Sequence, residues 1–323
     1  MGLRRRTVAV AVLAGCALHV AAHAQPAGGI VVGAPKTRPG ASSPKSKRLT
    51  TDEARHHMLD LINRDRASMG LSPVEMEDGP AMRAGQRHAD DMARNGYLSH
   101  WGTDGSVPEE RFTDAGGSAM VLENASCFVD ERRRTLDVAP AIEARNVEAA
   151  EAMFFEEKPP NDGHRRNILK PWHRRVGIGI AQAVGTATEI PVPCFAQEFV
   201  DAFGTVAPIP RSLRVGSILH VEGTLTAPAA FAGIGLARVE APHAMAPSEL
   251  NRRRSYPVPV PYEMVWPPGF RTPIPVEVQG SRFAVDLPIE DRGRPAMIEV
   301  SVWASLPGST DFVIVSLRTI QVP

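Results

Sequence analysis

The chain has 323 residues, too many for one small domain, which sets an expectation of two domains of about 100–200 residues each. Hydrophobic residues at 43% and charged residues at 22% sit near the average for a soluble globular protein and argue against a mainly disordered or polytopic membrane chain. Thirty-six basic residues balance 36 acidic ones, so no global field draws the protein to nucleic acid or to an anionic membrane, and nucleic acid is not expected among its partners.

Residues 1–24 read as a signal peptide: Arg4, Arg5 and Arg6, an apolar run from Thr7 to Ala22, and the small-x-small site Ala22-His23-Ala24. Its removal would leave a mature chain with no integral membrane span, exported to the periplasm or beyond. The alternative is a lipoprotein anchored through Cys16, because Leu13-Ala14-Gly15-Cys16 fits the pattern at which bacterial lipoproteins are cut and lipidated. Residues 25–48, rich in Pro, Gly, Ser and Lys without hydrophobic period, read as a disordered linker.

Thr50-x-x-Glu53 is a capping box, and Ala54, Met58, Leu61 and Ile62 then recur at helical spacing until Gly70 supplies a left-handed stop. Pro80 opens a second helix with the stripe Ala81, Gly85, Ala89 and Met92, closed by Asn95-Gly96. A short third helix is expected over 108–115 and a fourth over 139–157, on which Glu143, Val147, Ala150 and Phe154 align. Asp162 is positioned to cap a fifth, 163–169, that Pro171 ends. Alternating runs at 175–183 and 192–200 read as an antiparallel hairpin. Together these elements predict an α+β domain over 49–205. After Pro208 and Pro210 the period changes to two, in runs 218–225, 283–287, 298–302 and 312–317, which predicts an all-β sandwich of immunoglobulin-like or transthyretin-like type over 206–323.

Removal of Cys16 with the leader would leave Cys127 and Cys194 in an oxidising compartment, where the even pair is expected to be joined as a disulfide, the alternative being two separate buried thiols. Common enzyme signatures are missing: there is no His-Glu-x-x-His, no Gly-x-Ser-x-Gly, no phosphate-cradling Gly-rich loop and no Cys-x-x-Cys. What remains is Ser99-His100-Trp101, Leu122-Glu123-Asn124-Ala125, Met153-Phe154-Phe155-Glu156 and Gly163-His164-Arg165-Arg166-Asn167-Ile168-Leu169.

At these residues the sequence resembles the CAP superfamily, or SCP domain, which includes cysteine-rich secretory proteins, venom allergens and plant pathogenesis-related proteins. Tyr97-Leu98-Ser99-His100 is similar to the Phe-Phe-Ser-His of the bacterial exported branch, and Glu123-Asn124 to its Gly-Glu-Asn element. Gly163 to Leu169 followed by Val176-Gly177-Ile178-Gly179 resembles its Gly-His-Arg-x-Asn-Ile-Leu…Val-Gly-Ile-Gly run. Leu122 stands where that branch has Gly, and Met153 where a Trp usually precedes the helix-borne Glu. The resemblance, over about 51–204, implies an α-β-α sandwich with a central cleft holding His100, Glu123, Glu156 and His164.

The residues themselves lead to a compatible expectation. Extrapolated helical geometry puts Glu156 in line with apolar Met153 and Ala149, and an inward carboxylate needs a partner. His164, near the start of a capped helix, is kept neutral and available as a ligand. Two His and two carboxylates suit a divalent metal, Zn²⁺ first among them, or else form a metal-free hydrogen-bonded network. His56, His57, His88 and His173 read as solvated or capping residues, Arg132–Arg134 and Arg252–Arg254 as solvated surface, and Trp101 as either a cleft wall or core. The leading expectation is an exported protein binding a small molecule, lipid or glycan in a His/Glu-lined cleft, with the β domain as an adhesion or spacing module. Two enzyme readings compete: a Zn-dependent hydrolase on the same tetrad, and a cysteine hydrolase built on Cys127 and His164, which a bridge to Cys194 would disable.

Overall fold

The computed structural model describes residues 46–186, 191–253, 256–290 and 296–323, together with the backbone of 24–25. Residues 1–23 of the expected signal peptide, with the lipidation pattern at Cys16, and most of the expected linker therefore lie outside the described residues.

The first domain is a three-layer α-β-α arrangement whose helices follow the local signals. Helix α1 (Thr51–Ser68) begins at a complete capping box between Thr50 and Glu53. Helix α2 (Pro80–Asn95) starts on Pro80 and stops at Gly96, whose φ of 64° is the left-handed cap that glycine adopts without strain. Helix α3 spans Pro108–Asp114, α4 spans Ala144–Phe155 and α5 spans Gly163–Leu169. The fourth helix is shorter at both ends than its periodicity suggests, because residues 142–143 pair as a short strand with Arg48–Leu49 before it starts. Asp162 precedes α5 but makes no side-chain capping bond; the carboxylate of Glu157 takes the first-turn N–H of His164 instead, at 2.8 Å.

Between the helical layers lies a sheet of β1 (Glu75–Met76), β2 (Val121–Ser126), β3 (His173–Ala181) and β4 (Cys194–Asp201), in the order β1-β3-β4-β2. The β3–β4 pair is the expected antiparallel hairpin, and only β1 joins in parallel. The alternation in Val176-Gly177-Ile178-Gly179 sorts the two faces. Val176, Ile178 and Ile180 join Met58, Ile62, Val147, Phe154 and Ile168 in the core under α1, α4 and α5. The glycines face α2 so closely that a Cβ on Gly177 would lie 2.2 Å from the Ala81 carbonyl carbon, and one on Gly179 would lie 2.1 Å from the Gly85 oxygen. Glycine is thus required there by the approach of a helix backbone to a strand backbone. Cys127 and Cys194 are joined as a disulfide and pack with Tyr97 and Met92.

The second domain is a β-sandwich. One sheet contains β5 (Gly204–Val206), β6 (Ile218–Leu225), β9 (Glu277–Gln279) and β10 (Arg282–Pro288), in the order β9-β10-β6-β5. The other contains β7 (Ala230–Val239), β8 (Glu263–Val265), β11 (Ala296–Ser305) and β12 (Val313–Val322), in the order β8-β7-β11-β12. The pairings between these strands are antiparallel. Leu219, Val221, Ile234, Leu236, Phe283, Val285, Ile298, Val300 and Ile320 interleave from the two sheets to form its core. Strand β7, with its glycines at 233 and 235, carries no clear alternation and was not foreseen. Gly204–Val206 pair with β6, so the expected boundary at 205 falls within a strand of the sandwich.

Candidate functional site

Gly96 turns the chain out of α2 into the loop 97–106, which carries His100 to β2, within reach of Glu123. Glu123 is wholly buried. One oxygen lies 2.8 Å from His100 Nδ1, and the other accepts from Arg111 on α3 at 2.7 Å. Arg111 also donates to the carbonyls of His100 at 3.1 Å and Ser106 at 2.8 Å, so one guanidinium fixes both the loop and the carboxylate. His88 on α2 reaches the Ser99 carbonyl at 2.8 Å and stands 3.6 Å from Glu123.

The electrostatics of the cluster split two neighbouring carboxyls. Burial opposes ionisation of Glu123, but His88, Arg111 and the bond from His100 outweigh it and hold its carboxyl well below the usual range. Glu198, its register partner on β4, is pushed well above that range by burial and by the Glu123 charge beside it. His88 is lowered to about 4, by burial and then by Arg111, and is neutral at pH 7. The result is one anion, Glu123, held by a fixed cation and flanked by a neutral acid and a neutral imidazole.

His164 is placed from the other side of the sheet. Its Nδ1 lies 2.6 Å from Glu157, the carboxylate that also caps its helix turn, while Nε2 is buried and has no hydrogen-bond partner. Burial lowers its pKa despite Glu157, which keeps the ring neutral. Two asparagines tie this helix to β2: Asn124 donates to the His164 carbonyl at 3.2 Å, and Asn167 donates to the Glu123 carbonyl at 3.2 Å and to the Asn124 side chain at 2.9 Å.

Of the four expected residues, His100 and Glu123 bond directly and His164 stands close enough to feel both electrostatically. Glu156 is a correction: it is exposed, and its neighbour Glu157 is the residue that meets His164. The helix ends at Phe155, so the inward stripe does not extend to residue 156. His88 and His173 are likewise not solvated; both are wholly buried, the latter 2.8 Å from Asp201. His88 was detectable, since it continues the stripe Ala81, Gly85, Met92 at helical spacing. Arg111 and Glu198 had no local signal, because their partners are distant in sequence.

The donor set falls short of what zinc needs. Zn²⁺ takes three or four protein donors, but Glu123 is committed to His100 and Arg111 and Glu157 to His164. Among the described residues no group of three or more His, Cys, Asp or Glu side chains is placed to hold a metal ion. The thiol of Cys127 is also spent in the disulfide, which removes the nucleophile of the cysteine-hydrolase reading. Beside Glu123 lies a polar cavity of about 330 Å³, lined by Arg87, His88, Asp91, Arg94, Asp104 and Arg111 among others. Two of its wall residues are buried and carry unpartnered nitrogens, His88 Nδ1 and Arg111 Nε.

Residues 59–188 match the model of CAP, the cysteine-rich secretory protein family, a span that takes in His88, His100, Arg111, Glu123, Glu157 and His164. A comparison with curated proteins finds no match.

Proposed function

We propose that this protein, which carries a CAP domain, is an exported binding protein that takes a small, neutral, polyhydroxylated ligand of the sugar class in the recess beside Glu123. The observation that carries the reading is the cavity wall: two of the residues that line it, His88 and Arg111, hold a lone pair at Nδ1 and an N–H at Nε that are buried without a partner and would meet a ligand as it settles against them. A ligand hydroxyl both donates and accepts, so it satisfies either one. Around them Arg87, Arg94 and Arg111 balance Asp90, Asp91 and Asp104, which favours neither a strong anion nor a cation, and the polar lining does not suit a lipid tail. Chemistry is not called for. Glu123 is pinned by Arg111, and its ionised carboxyl is committed to orienting His100.

Export is part of the same proposal. The buried Cys127–Cys194 bond suits an oxidising compartment, and among the described residues no helix is long and apolar enough to cross a membrane. The test is an NMR titration of the mature chain with a panel of mono- and oligosaccharides, with phospholipid vesicles as the contrast. Saturable shifts confined to 87–94 and 102–111, weakened at least tenfold in Arg94→Ala, are expected. Shifts located elsewhere, or turnover of ester or peptide pools by the protein, would overturn the reading.

A further inference from the structure

The outer face of the β8-β7-β11-β12 sheet is docked on the CAP domain at the loop and strand that build the site. Met297 and Tyr256 pack with Val107 and Trp101, and Leu317 and Val258 pack with Met120 and Leu122 next to Glu123. A strap over residues 243–253 adds to this. Met245 and Leu250 are buried against Tyr97, Leu98 and the disulfide, the Asn251 side chain accepts the Leu98 N–H at 3.0 Å, and the Met245 N–H reaches the Thr103 carbonyl at 2.8 Å. Trp101, adjacent to His100, is held between Arg253, 5.1 Å from its ring, and the edge of Tyr256 at 4.9 Å. The second domain thus covers the loop that carries His100.

At the centre of this interface two carboxyls meet. Glu109 of α3 and Glu299 of β11 are 0% and 1% exposed and approach the same hydroxyl, that of Tyr256, with Glu299 at 3.3 Å. One hydroxyl has one hydrogen and cannot satisfy two carboxylates. The second oxygens of Glu109, Glu299 and the adjacent Glu110 are all buried without a partner, and among the described residues none of the three has an ion pair. The other charged groups that act here come mainly from the α3 side: Glu110, itself pushed up to about 7 by burial and by Asp114 and Asp104 behind it, adds negative charge as it ionises, and among the described residues the cation that opposes it is Arg111, already bound to Glu123. Thr319 of β12 contributes a backbone N–H to Thr113 and no charge. Two bare anions in this setting would face the full cost of desolvation and each other's repulsion.

We infer that the second domain is a pH-gated cover over the His100 loop: Glu109 and Glu299 hold the interface closed while they share a proton, and their ionisation as pH rises lets the two domains part. The sign follows from linkage. Burial raises Glu299 to about 7 and, with Glu299 beside it, raises Glu109 well above its usual value of 4.5, while the parted domains return both to the ordinary carboxyl range. The parted state therefore binds fewer protons. Closure is fully present below pH 4.5 and is lost as pH climbs through about 7. For a single proton released, the opening constant rises on the order of 50-fold between about pH 5 and about pH 8. The inference holds whatever ligand the recess takes.

Hydrogen exchange on the full mature chain, corrected for the intrinsic pH dependence of exchange, reads this opening directly. Peptides covering 97–111 and 296–303 should lose protection on the order of 50-fold from about pH 5 to about pH 8, while the β3 core peptide 176–181 stays protected. In Glu299→Gln, which keeps the shape and cannot ionise, the slope of the interface peptides should fall below that of wild type, and adding Glu109→Gln should remove what is left of it, because burial raises both carboxyls; Glu109→Gln alone, with the same reduced slope, serves if the first variant fails to fold. An equal slope in wild type and variant, no slope in wild type, or parallel loss of protection in 176–181 would each overturn the inference, the last because it would report global unfolding.

Discussion

Replacing Arg111 by Met tests the electrostatic reading of the site at its centre. The side chain is 2% exposed and makes three hydrogen bonds, to the Ser106 and His100 carbonyls and to Glu123. Methionine fills similar space but leaves a buried carboxylate facing only imidazoles, of which His88 is neutral at pH 7. Breaking one side of a buried ion pair costs about 3–5 kcal/mol, and the two orphaned carbonyls add to it. The pH dependence discriminates this from a packing defect. In the wild type the depressed carboxyl of Glu123 contributes stability above the ordinary carboxyl range that is lost as pH falls toward its folded value. In Arg111→Met the Glu123 carboxyl rises and protonates easily, so the penalty should be largest at pH 7 and shrink toward pH 4. Urea unfolding at both pH values, with Glu123→Gln and the double variant completing the cycle, measures it. A penalty under about 1 kcal/mol at pH 7, or one that does not shrink with acid, would refute the ion-pair account.

Glu156→Gln should be silent, within about 0.5 kcal/mol in unfolding experiments, because Glu156 is exposed, whereas Glu157→Gln should cost about 1–3 kcal/mol and move the His164 imidazole resonances. Cys127→Ala with Cys194→Ala opens a loop closed across a sequence separation of 67, for which the chain-entropy model gives a loss of about 4 kcal/mol in non-reducing urea titrations. Gly179→Ala forces a methyl group against the Gly85 carbonyl, and a loss of about 3 kcal/mol or more, or failure to fold, is expected from calorimetry.

Most of the first domain was readable because its signals are local. The capping box at Thr50, Pro80 at a helix start and Gly96 at a helix stop act within one turn, and the structure puts α1, α2, α3 and α5 within a residue or so of where those signals point. The fourth helix was overdrawn since residues 142–143 are claimed by a strand pairing with Arg48–Leu49, a contact nearly a hundred positions away that no window reports. Strand β7 escaped for a related reason. Buried across Gly233 to Ala237, it reads as a continuous small-residue run without alternation.

The site divides along the same line. His100, Glu123 and His164 stand in short motifs, so they could be named from sequence, but the roles they play are set by residues those motifs omit. His88 and Arg111, with His100, hold Glu123 as an anion, Glu198 stands beside it as a neutral acid, and Glu157 turns the Nδ1 of His164 toward itself. Each of these sits on a different element from the residue it controls, or one position off the extrapolated stripe. A motif specifies which side chains are brought to the sheet edge; the charge each one carries is a property of its neighbours across the sheet, and in the second domain's case across the interface. A tetrad that reads from sequence either as metal ligands or as a metal-free hydrogen-bonded network therefore resolves into two carboxylate-anchored imidazoles, and the buried nitrogens left without a partner beside it, His88 Nδ1 and Arg111 Nε, belong to residues outside it.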